Sequence, residues 1–422
     1  MRFLNLLAVL VCCLSWSAQA KTVRHIFKGS GYALQVGDHR AAPMTFGLTP
    51  SQGQQIRDLT NGQVDFSSLY SLEVDDESPQ LFTRLPGYLE THHLDVPPPV
   101  EVSSVVADPE FAGQWWVTKL RVPEAWTHAS GHGVTIADCD AGYYYKESDL
   151  NANTLVDLRF DFGNPDDNLN VEDGGYTFHG TAVAAIMVGV RDGVGTNGIA
   201  YGAKLVPFQN YNYDGSDKID KEEATAKCIL QAIQTPGVNI IVLENQTQNG
   251  SSETFIGTRD AVRLALQSGL IVVSAAGNAQ AELVEEAKDD TGSIIVGAVD
   301  PAGSAENFSN YGARATVGAF GEQLHTLYGP NGAFASFGGT SGATPQVAAA
   351  VALMKEVSPF LTPSQARDVL LTTRVVDSSN SSVGGVLDVE KAVLAAKALT
   401  SDVSQWTNQQ VFRARLNTIL SH

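Results

Sequence analysis

Between residues 115 and 398, short apolar runs alternate with segments that are amphipathic or rich in alanine. The runs are rich in Val and Ile, which is typical of strands buried on both faces. They cover 134–137, 204–208, 238–243, 270–274 and 293–297, and the helical segments cover 181–190, 222–234, 258–268 and 345–356. This alternation predicts an α/β domain with a mainly parallel sheet sandwiched by helices. Catalytic groups of such domains gather beyond the C-terminal ends of the strands.

The N-terminus has the pattern of an export signal. Arg2 gives a positive start, residues 4–16 are apolar, and Ala18-Gln19-Ala20 forms a small-residue cleavage site. We therefore predict a signal peptide at 1–20 and a secreted protein, extracellular or periplasmic. No later stretch is apolar for long enough to cross a bilayer, so we expect no membrane partner.

The remaining chain divides into three predicted parts. Residues 21–105 are mixed and polar and end in a stiff Pro97-Pro98-Pro99 linker, which predicts a small α+β unit. This unit is either a propeptide or an N-terminal domain that stays attached. The catalytic domain is expected at 106–398, and residues 399–422 form a tail with one amphipathic helix.

Composition excludes some partners and leaves the cysteine chemistry open. The formal net charge of -19 and the pI near 4.8 argue against a nucleic-acid partner. Cys12 and Cys13 lie in the signal peptide and leave with it. The other two, Cys139 and Cys228, either pair in an oxidising compartment or stay free and buried.

Ser341 stands in the run Gly338-Gly339-Thr340-Ser341-Gly342, directly before an Ala/Val-rich helical segment. Its small neighbours leave the hydroxyl accessible, and the positive end of the helix dipole lies close by. That environment suits a nucleophile whose transition state carries an oxyanion. A serine also needs a base to take its proton and an acid to orient that base.

Candidates for these roles follow other predicted elements. His179 precedes the small residues 180–182, which leave room for a substrate. Asp138 and Asp140 end the first apolar run and face the same way by strand alternation, so either could be the acid. Asn278 follows the run 270–274 and could donate its side-chain amide to an oxyanion.

These motifs together resemble those of subtilisin-like serine proteases. The matching segments are Gly339-Thr340-Ser341 with Pro345, His179-Gly180-Thr181, Ala276-Gly277-Asn278, and Asp140-Ala141-Gly142 with Asp149-Leu150 nine residues after that Asp. The resemblance covers about residues 107–398. It implies that Ser341 is the nucleophile, His179 the base and Asp140 the acid, with Asn278 in the oxyanion hole. Asp138 stands where the family usually has an apolar residue, and it remains the alternative acid.

The resemblance implies a secreted serine endopeptidase that cleaves proteins or peptides through an acyl-enzyme. The N-terminal unit would then act as an intramolecular propeptide inhibitor, released by cleavage within 96–107. Two alternatives remain: a catalytically inactive subtilase-fold binding protein, and another acyl hydrolase such as an esterase.

The predicted cleft departs from the family pattern. The family usually has Ser-Leu-Gly-Gly on the strand that pairs with substrate, whereas this chain has Leu243-Glu244-Asn245-Gln246. We expect Glu244, Asn245 and Gly277 to bind substrate. Glu244 is expected to favour basic or small substrate residues and to disfavour acidic ones.

Three acids also match calcium ligands of thermitase-like members of the family. Asp108 lies in an Asp-Pro-x-Phe segment, Asp149 in the Asp-Leu pair, and Asp192 in the loop 190–196. Carboxylates on loops are ligands that calcium prefers. The resemblance therefore implies a structural Ca²⁺ held by Asp108, Asp149 and Asp192, with backbone carbonyls of that loop.

Overall fold

A computed structural model describes residues 108–144, 148–163, 178–211, 221–247, 249–328, 333–399 and 403–420, together with strands before residue 108. The chain divides into two compact units. The first unit contains residues 1–98 and 403–422, and the second contains residues 99–402. Among the helices in these ranges, none is long and apolar enough to cross a membrane.

The described part of the first unit is a small sheet with one helix. Its strands are β1 Val9–Cys13, β2 Thr22–Lys28, β3 Gln35–Val36, β4 His39–Arg40, β5 Ala42–Met44, β6 Leu69–Asp75 and β7 Glu90–His92. The sheet order is β5-β6-β2-β1-β7, and all neighbours are antiparallel except β1 and β7. The helix Val403–Leu420 belongs to the same unit. Strand β1 lies inside the predicted signal peptide.

The second unit is built on a seven-stranded sheet, which confirms the predicted α/β class. Its strands are β8 Thr135–Asp140, β9 Phe160–Asp161, β10 Lys204–Gln209, β11 Val238–Leu243, β12 Ile271–Ala275, β13 Ile294–Val299 and β14 Val317–Phe320. Their order is β14-β13-β12-β11-β8-β10-β9, and every neighbouring pair is parallel. A separate hairpin pairs β15 Leu324–Leu327 with β16 Phe334–Phe337.

Helices cover both faces of this sheet. They are α1 Trp115–Lys119, α2 Val122–Ala125, α3 Ser148–Asn151, α4 His179–Val188, α5 Lys221–Gln234, α6 Ile256–Gln267, α7 Val284–Lys288, α8 Thr340–Val357, α9 Pro363–Thr373 and α10 Val389–Ala398. Helices α4 and α8 pack on each other and on one face, where they share a core with Ile136 and Val242. Helices α5 and α6 cover β11 and β12 from the other side. Strand β8 thus lies near the centre of a buried sheet, with its C-terminal end between these layers.

The start of α8 differs from the sequence-based prediction. A helix was expected from Pro345, because proline lacks the N–H that an interior position needs. The helix instead begins at Thr340, after Gly339 with a positive φ of 78°. Residues 340–355 are all buried, and the packing of that long buried stretch outweighs the single intrahelical bond that Pro345 removes. Ser341 therefore lies within the first turn of the helix and not before it.

Candidate active site

Asp140 and His179 are joined directly. Asp140 is the last residue of β8, and His179 is the first residue of α4. The Nδ1 atom of His179 lies 2.6 Å and 2.8 Å from the two carboxylate oxygens of Asp140. Asp140 also accepts the backbone N–H of Ala141 at 2.6 Å. With Nδ1 fixed in this way, the Nε2 atom of His179 is the nitrogen left to act as a base.

Asp138 lies on the same face of β8 but takes no part in that contact. It is fully buried, and neither of its carboxylate oxygens has a hydrogen-bond partner of good geometry in the part of the chain that the structure describes. Burial, followed by the nearby charge of Asp140, raises the pKa of the Asp138 carboxyl well above its usual range. Of the two candidate acids, the geometry therefore favours Asp140 as the partner of the histidine.

Ser341 is the second residue of α8, and its side chain is buried apart from 8 % of its surface. The positive φ of Gly339 turns the chain into the helix just before it. A side chain at position 339 would be strained there, and its Cβ would lie only 3.3 Å from the Asn278 amide nitrogen. Glycine at this position thus keeps the space beside the serine open.

Asn278 is oriented by the residue that precedes the serine. The backbone N–H and the hydroxyl of Thr340 both donate to Oδ1 of Asn278, at 2.8 Å and 3.0 Å. Since the oxygen accepts these two bonds, the amide nitrogen points away from Thr340 and remains a donor. An amide donor beside a helix N-terminus is what a developing oxyanion requires.

Residues 131–402 match the family model described as the "Subtilase family" of S8 peptidases. This chain belongs to the subtilase family. It is a serine peptidase at the level of its family, and the substrates of such enzymes are proteins or peptides.

Relatives and a solved structure agree with that assignment. "Subtilisin BL" of Lederbergia lenta is 30% identical over 280 residues, which are 66% of this chain and 97% of that protein. "Alkaline elastase YaB" of Bacillus sp. (strain YaB) is 29% identical over 352 residues, 81% of this chain and 84% of that protein. A solved protease structure from Pseudoalteromonas arctica has a TM-score of 0.61 at 27% identity, covering 69% of this chain and 100% of that one.

The three predicted substrate-binding residues of this subtilase lie in different environments. Glu244 directly follows β11, is only 3% exposed, and faces the Ser341 hydroxyl. Asn245 is buried, and its amide nitrogen donates to the Thr225 hydroxyl of α5 at 2.7 Å. Gly277 precedes Asn278 with a φ of 102°, and its N–H donates to the Thr340 hydroxyl at 3.2 Å. Their contact with substrate stays a prediction.

A disulfide bond anchors β8 on the face of the sheet opposite to Asp138 and Asp140. Cys139 and Cys228 form a disulfide bond, with a Cα–Cα distance of 6.3 Å. Of the two alternatives that the sequence left open, the structure therefore has the paired cysteines and not two free thiols. Cys139 lies between Asp138 and Asp140 and faces the other side of the sheet. The bond therefore anchors the acid-bearing strand to helix α5.

The predicted calcium ligands surround the loop 190–197. Asp108 accepts the Gly193 N–H at 2.5 Å, and Asp149 accepts the Thr196 hydroxyl at 2.8 Å through Oδ2. Asp192 is exposed, and its carboxylate accepts the Val194 N–H at 3.1 Å. Among the described residues, no group of three or more His, Cys, Asp or Glu side chains is arranged to hold a metal ion.

Two oxygens near this loop nevertheless lack partners. Oδ1 of Asp149 and Oδ1 of Asn197 are buried and accept no hydrogen bond from the residues that the structure describes. Burial, with smaller contributions from the charges of Asp108 and Asp192, raises the pKa of Asp149 to about 7. Buried unpaired oxygens of this kind fit a hard cation.

Some residues of the site carried no recognisable signal in the sequence. Thr340 orients Asn278, Gln246 accepts the Asn278 N–H at 2.5 Å, and the Tyr211 hydroxyl donates to Asp140 at 3.5 Å. Thr340 stood within the serine motif, but nothing in that motif indicated a contact 62 residues away in the chain. Asn197 likewise lay outside every motif that suggested calcium.

Proposed function

We propose that this subtilase is an active serine endopeptidase with Ser341, His179 and Asp140 as its catalytic triad. The observation that carries the proposal is the contact between His179 Nδ1 and the Asp140 carboxylate, 2.6 Å long and buried at the end of β8. That contact orients the imidazole and stabilises its protonated form. A chain with no catalytic role would have no need of this pairing between a buried carboxylate and a histidine at the start of a helix.

The reaction proceeds in two stages, acylation of Ser341 and hydrolysis of the acyl-enzyme. Ser341 Oγ attacks the carbonyl carbon of the scissile peptide while its proton passes to Nε2 of His179. The C–N bond then breaks, and the amine leaves with that proton, which gives an acyl-enzyme. Water attacks the ester in the second half, loses a proton to His179, and releases the carboxylic acid as the Ser341 hydroxyl re-forms.

The oxyanion of each tetrahedral intermediate is stabilised at the N-terminus of α8. Asn278 donates from its side-chain nitrogen, and the Ser341 backbone N–H is the second donor. Because the Asn278 oxygen already accepts two bonds from Thr340, its nitrogen is oriented before substrate arrives. Such preorganised donors stabilise the transition state more than the ground state.

Labelling with a serine-directed fluorophosphonate tests the proposal. Wild type should be labelled and should digest casein, while Ser341→Ala should fold with the same melting temperature and show neither property. Glu285→Gln, an exposed substitution far along the chain from the triad, serves as the matched control. If folded wild type is not labelled, the proposal of an active enzyme is wrong, and the alternative of a catalytically inactive subtilase-fold binding protein is favoured. Rapid hydrolysis of simple esters with no cleavage of peptides would instead indicate another acyl hydrolase.

We also propose export and self-inhibition. Residues 1–20 act as the signal peptide, and residues 21–105 act as a folding aid and temporary inhibitor of the peptidase domain. A relative from Xanthomonas campestris is named "Extracellular protease", 29% identical over 315 residues that cover 66% of this chain and 54% of that protein. N-terminal sequencing of the protein released from cells tests this: a start within 96–107 is expected, and an intact N-terminus would contradict it.

A structural calcium is proposed at the loop 190–197. Asp149 and Asn197 would supply the unpaired buried oxygens, and Asp108 and Asp192 would contribute charge, together with backbone carbonyls of the loop. When bound, the cation would neutralise these carboxylates and tie the loop to the segment that carries Asp108. It would have no part in the bond-breaking steps.

A further inference from the structure

Three carboxyl groups meet at the C-terminal ends of β8 and β11. Asp138 and Asp140 point to the same face of β8, and Val242 of β11 pairs with Asp138. Two residues later, Glu244 therefore reaches the same face beside Asp140, and its N–H donates to the Cys139 carbonyl at 3.5 Å. This is the face on which α4 and α8 carry the histidine and the serine.

The three groups are not equally paired. Asp140 contacts His179, the Ala141 N–H and the Tyr211 hydroxyl. The carboxyl oxygens of Asp138 and Glu244 form no hydrogen bond of good geometry with a described residue, and both side chains are almost entirely buried. The hydroxyl group next to Glu244 is that of Ser341. Tyr143, which lies beside Asp138, gives its hydroxyl proton to backbone carbonyls of Asp138 and Phe208.

Among the described residues, no Lys or Arg side chain forms an ion pair with the three carboxyl groups; Lys221 of α5 lies over the ring of Tyr211, 4.1 Å from its centroid. The titratable and polar groups that face this cluster come from α4, from the segments after β8 and β10, and from α8: His179, Tyr143, Tyr211 and Ser341. Of these only the imidazole can become positive, and it is engaged with Asp140. Three buried carboxylates around one imidazolium would carry a large uncompensated charge, so two of them hold protons. Burial first, and then the charges of Asp140 and Asp138, raise the pKa of Glu244 well above its usual range.

We propose that Glu244 is a further catalytic residue, whose protonated carboxyl contacts the Ser341 hydroxyl and has to keep its proton during turnover. The proposal rests on the proposed role of Ser341 as nucleophile. In the neutral form Glu244 can give a hydrogen bond to Ser341 Oγ, and the serine proton remains directed to His179. Glu244 neither gains nor loses a proton in the reaction.

Ionisation of Glu244 would disturb the reaction in two ways. The carboxylate would become an acceptor that competes with His179 Nε2 for the Ser341 proton. It would also place a negative charge next to the oxyanion that forms on the substrate. Glu244, which departs from the family pattern, would thus limit the activity of the peptidase at high pH, a role different from substrate selection.

The pH dependence of kcat/KM for a peptide substrate tests this directly. Wild type should lose activity on the alkaline side, about tenfold for each pH unit above the pKa of Glu244, because only the protonated form turns over. Glu244→Gln keeps the shape and neutrality of the protonated acid. It should retain activity within a few-fold of wild type at acid and neutral pH and should lack the alkaline decline.

Asp138→Asn is the matched control, since it also changes a buried carboxyl to an amide in the same cluster. Asp138 does not contact Ser341, so this variant should keep the alkaline decline. If Glu244→Gln shows the same decline as wild type, the proposal is wrong. A folded Glu244→Gln that is inactive at every pH would also overturn it, because the enzyme would then use the ionised carboxylate.

Two further measurements separate this proposal from its foundation. If a fluorophosphonate labels wild type at no pH, the proposed function is wrong. If wild type is labelled but Glu244→Gln still loses activity at alkaline pH, the Glu244 proposal is wrong and the proposed function stands. Should Glu244→Gln not fold, infrared spectra of wild type with isotope-labelled glutamate provide the test. A carbonyl band of a buried protonated glutamic acid should disappear together with activity as the pH rises, and its absence at neutral pH would contradict the proposal.

Discussion

Thr340 holds Asn278 by two hydrogen bonds to the same oxygen, at 2.8 Å from the backbone N–H and 3.0 Å from the hydroxyl. The two residues lie on different elements, one at the start of α8 and the other beyond β12. The orientation of the Asn278 amide nitrogen therefore depends on the residue adjacent to Ser341.

Removal of Asn278, the proposed oxyanion donor, should lower kcat with little change in KM. Asn278→Leu is expected to reduce kcat by about 10²–10³, because the lost bond forms fully only in the transition state. Thr340→Val deletes one of the two bonds that orient Asn278 and should reduce kcat by a smaller factor in the same direction. Steady-state kinetics on one peptide checks both variants. A rise in KM at constant kcat would show that Asn278 binds the substrate and the transition state equally well.

The two aspartates of β8 should behave differently when changed to asparagine. Asp140→Asn should lower kcat by about 10⁴, since the amide cannot hold His179 in the required tautomer. Asp138→Asn should keep most of the activity at neutral pH, because burial and the charge of Asp140 raise the pKa of Asp138 well above its usual range and thereby favour the neutral form that the amide imitates. Parallel assays of both variants at the same pH give the comparison. Equal losses would show that the two carboxyls act as one unit.

Lys355 makes the stability of the peptidase domain depend on pH. It lies in α8 with 7% of its surface exposed, and its Nζ donates to the Leu361 carbonyl at 2.9 Å. Burial lowers the pKa of Lys355 from 10.5 to about 7, so the unfolded chain binds more protons between these values. Stability should therefore rise with pH from about 7 toward 10.5, and the full penalty of the buried charge should apply below 7.

Lys355→Met isolates this contribution. The variant should be more stable than wild type below pH 7, and its advantage should shrink as the pH rises toward 10.5. Denaturant unfolding of both proteins in the inactive Ser341→Ala background avoids self-digestion. Lys288→Met, at an exposed position, is the control and should not show this shrinking advantage. A difference between wild type and Lys355→Met that does not vary with pH would rule out a buried titrating amine.

The disulfide should contribute substantially to stability. Replacing both Cys139 and Cys228 by serine should lower the free energy of unfolding by about 2–4 kcal/mol, because the closed loop restricts the unfolded chain. Thermal unfolding with and without a reductant gives the measurement. The reductant should destabilise wild type and leave the double variant unchanged. If the reductant destabilises both proteins equally, the loss of stability does not come from the Cys139–Cys228 bond.

Chelation tests the proposed calcium. A strong chelator should lower the melting temperature of wild type, and added Ca²⁺ should restore it. Asp149→Asn removes a charged ligand and should shift the restoring concentration upward, whereas Asp300→Asn, at a half-buried position outside this loop, should not. If the melting temperature of wild type is insensitive to both chelator and Ca²⁺, the loop 190–197 holds no structural cation.

The α/β class and most of the sheet followed from sequence periodicity. Runs such as 238–243 and 204–208 coincide with β11 and β10 to within a residue, because a strand buried on both faces has to be continuously apolar. Strand β14 was missed, since Val317–Phe320 is short and contains a glycine. The hairpin of β15 and β16 was missed as well, because it is partly exposed and outside the main sheet.

The chemistry of the site was predictable only where a motif carried it. Ser341, His179 and Asn278 stood in recognisable segments, and strand alternation limited the acid to Asp138 or Asp140. The family motif implied Asp140, and the 2.6 Å contact with His179 favours the same residue over Asp138. The position of Glu244 next to Ser341 depends on the register between β8 and β11 and on the docking of α8, and these are tertiary properties.

The Cys139–Cys228 bond has a consequence for the order in which the enzyme forms. It joins cysteines 89 positions apart, and the loop it closes begins next to Asp140 and contains His179. In an oxidised but unfolded chain, Asp140 and His179 thus already share one ring of limited size, while Ser341 lies outside it. Completion of the proposed triad therefore depends on the docking of α8, which brings Ser341 to the ring from outside it.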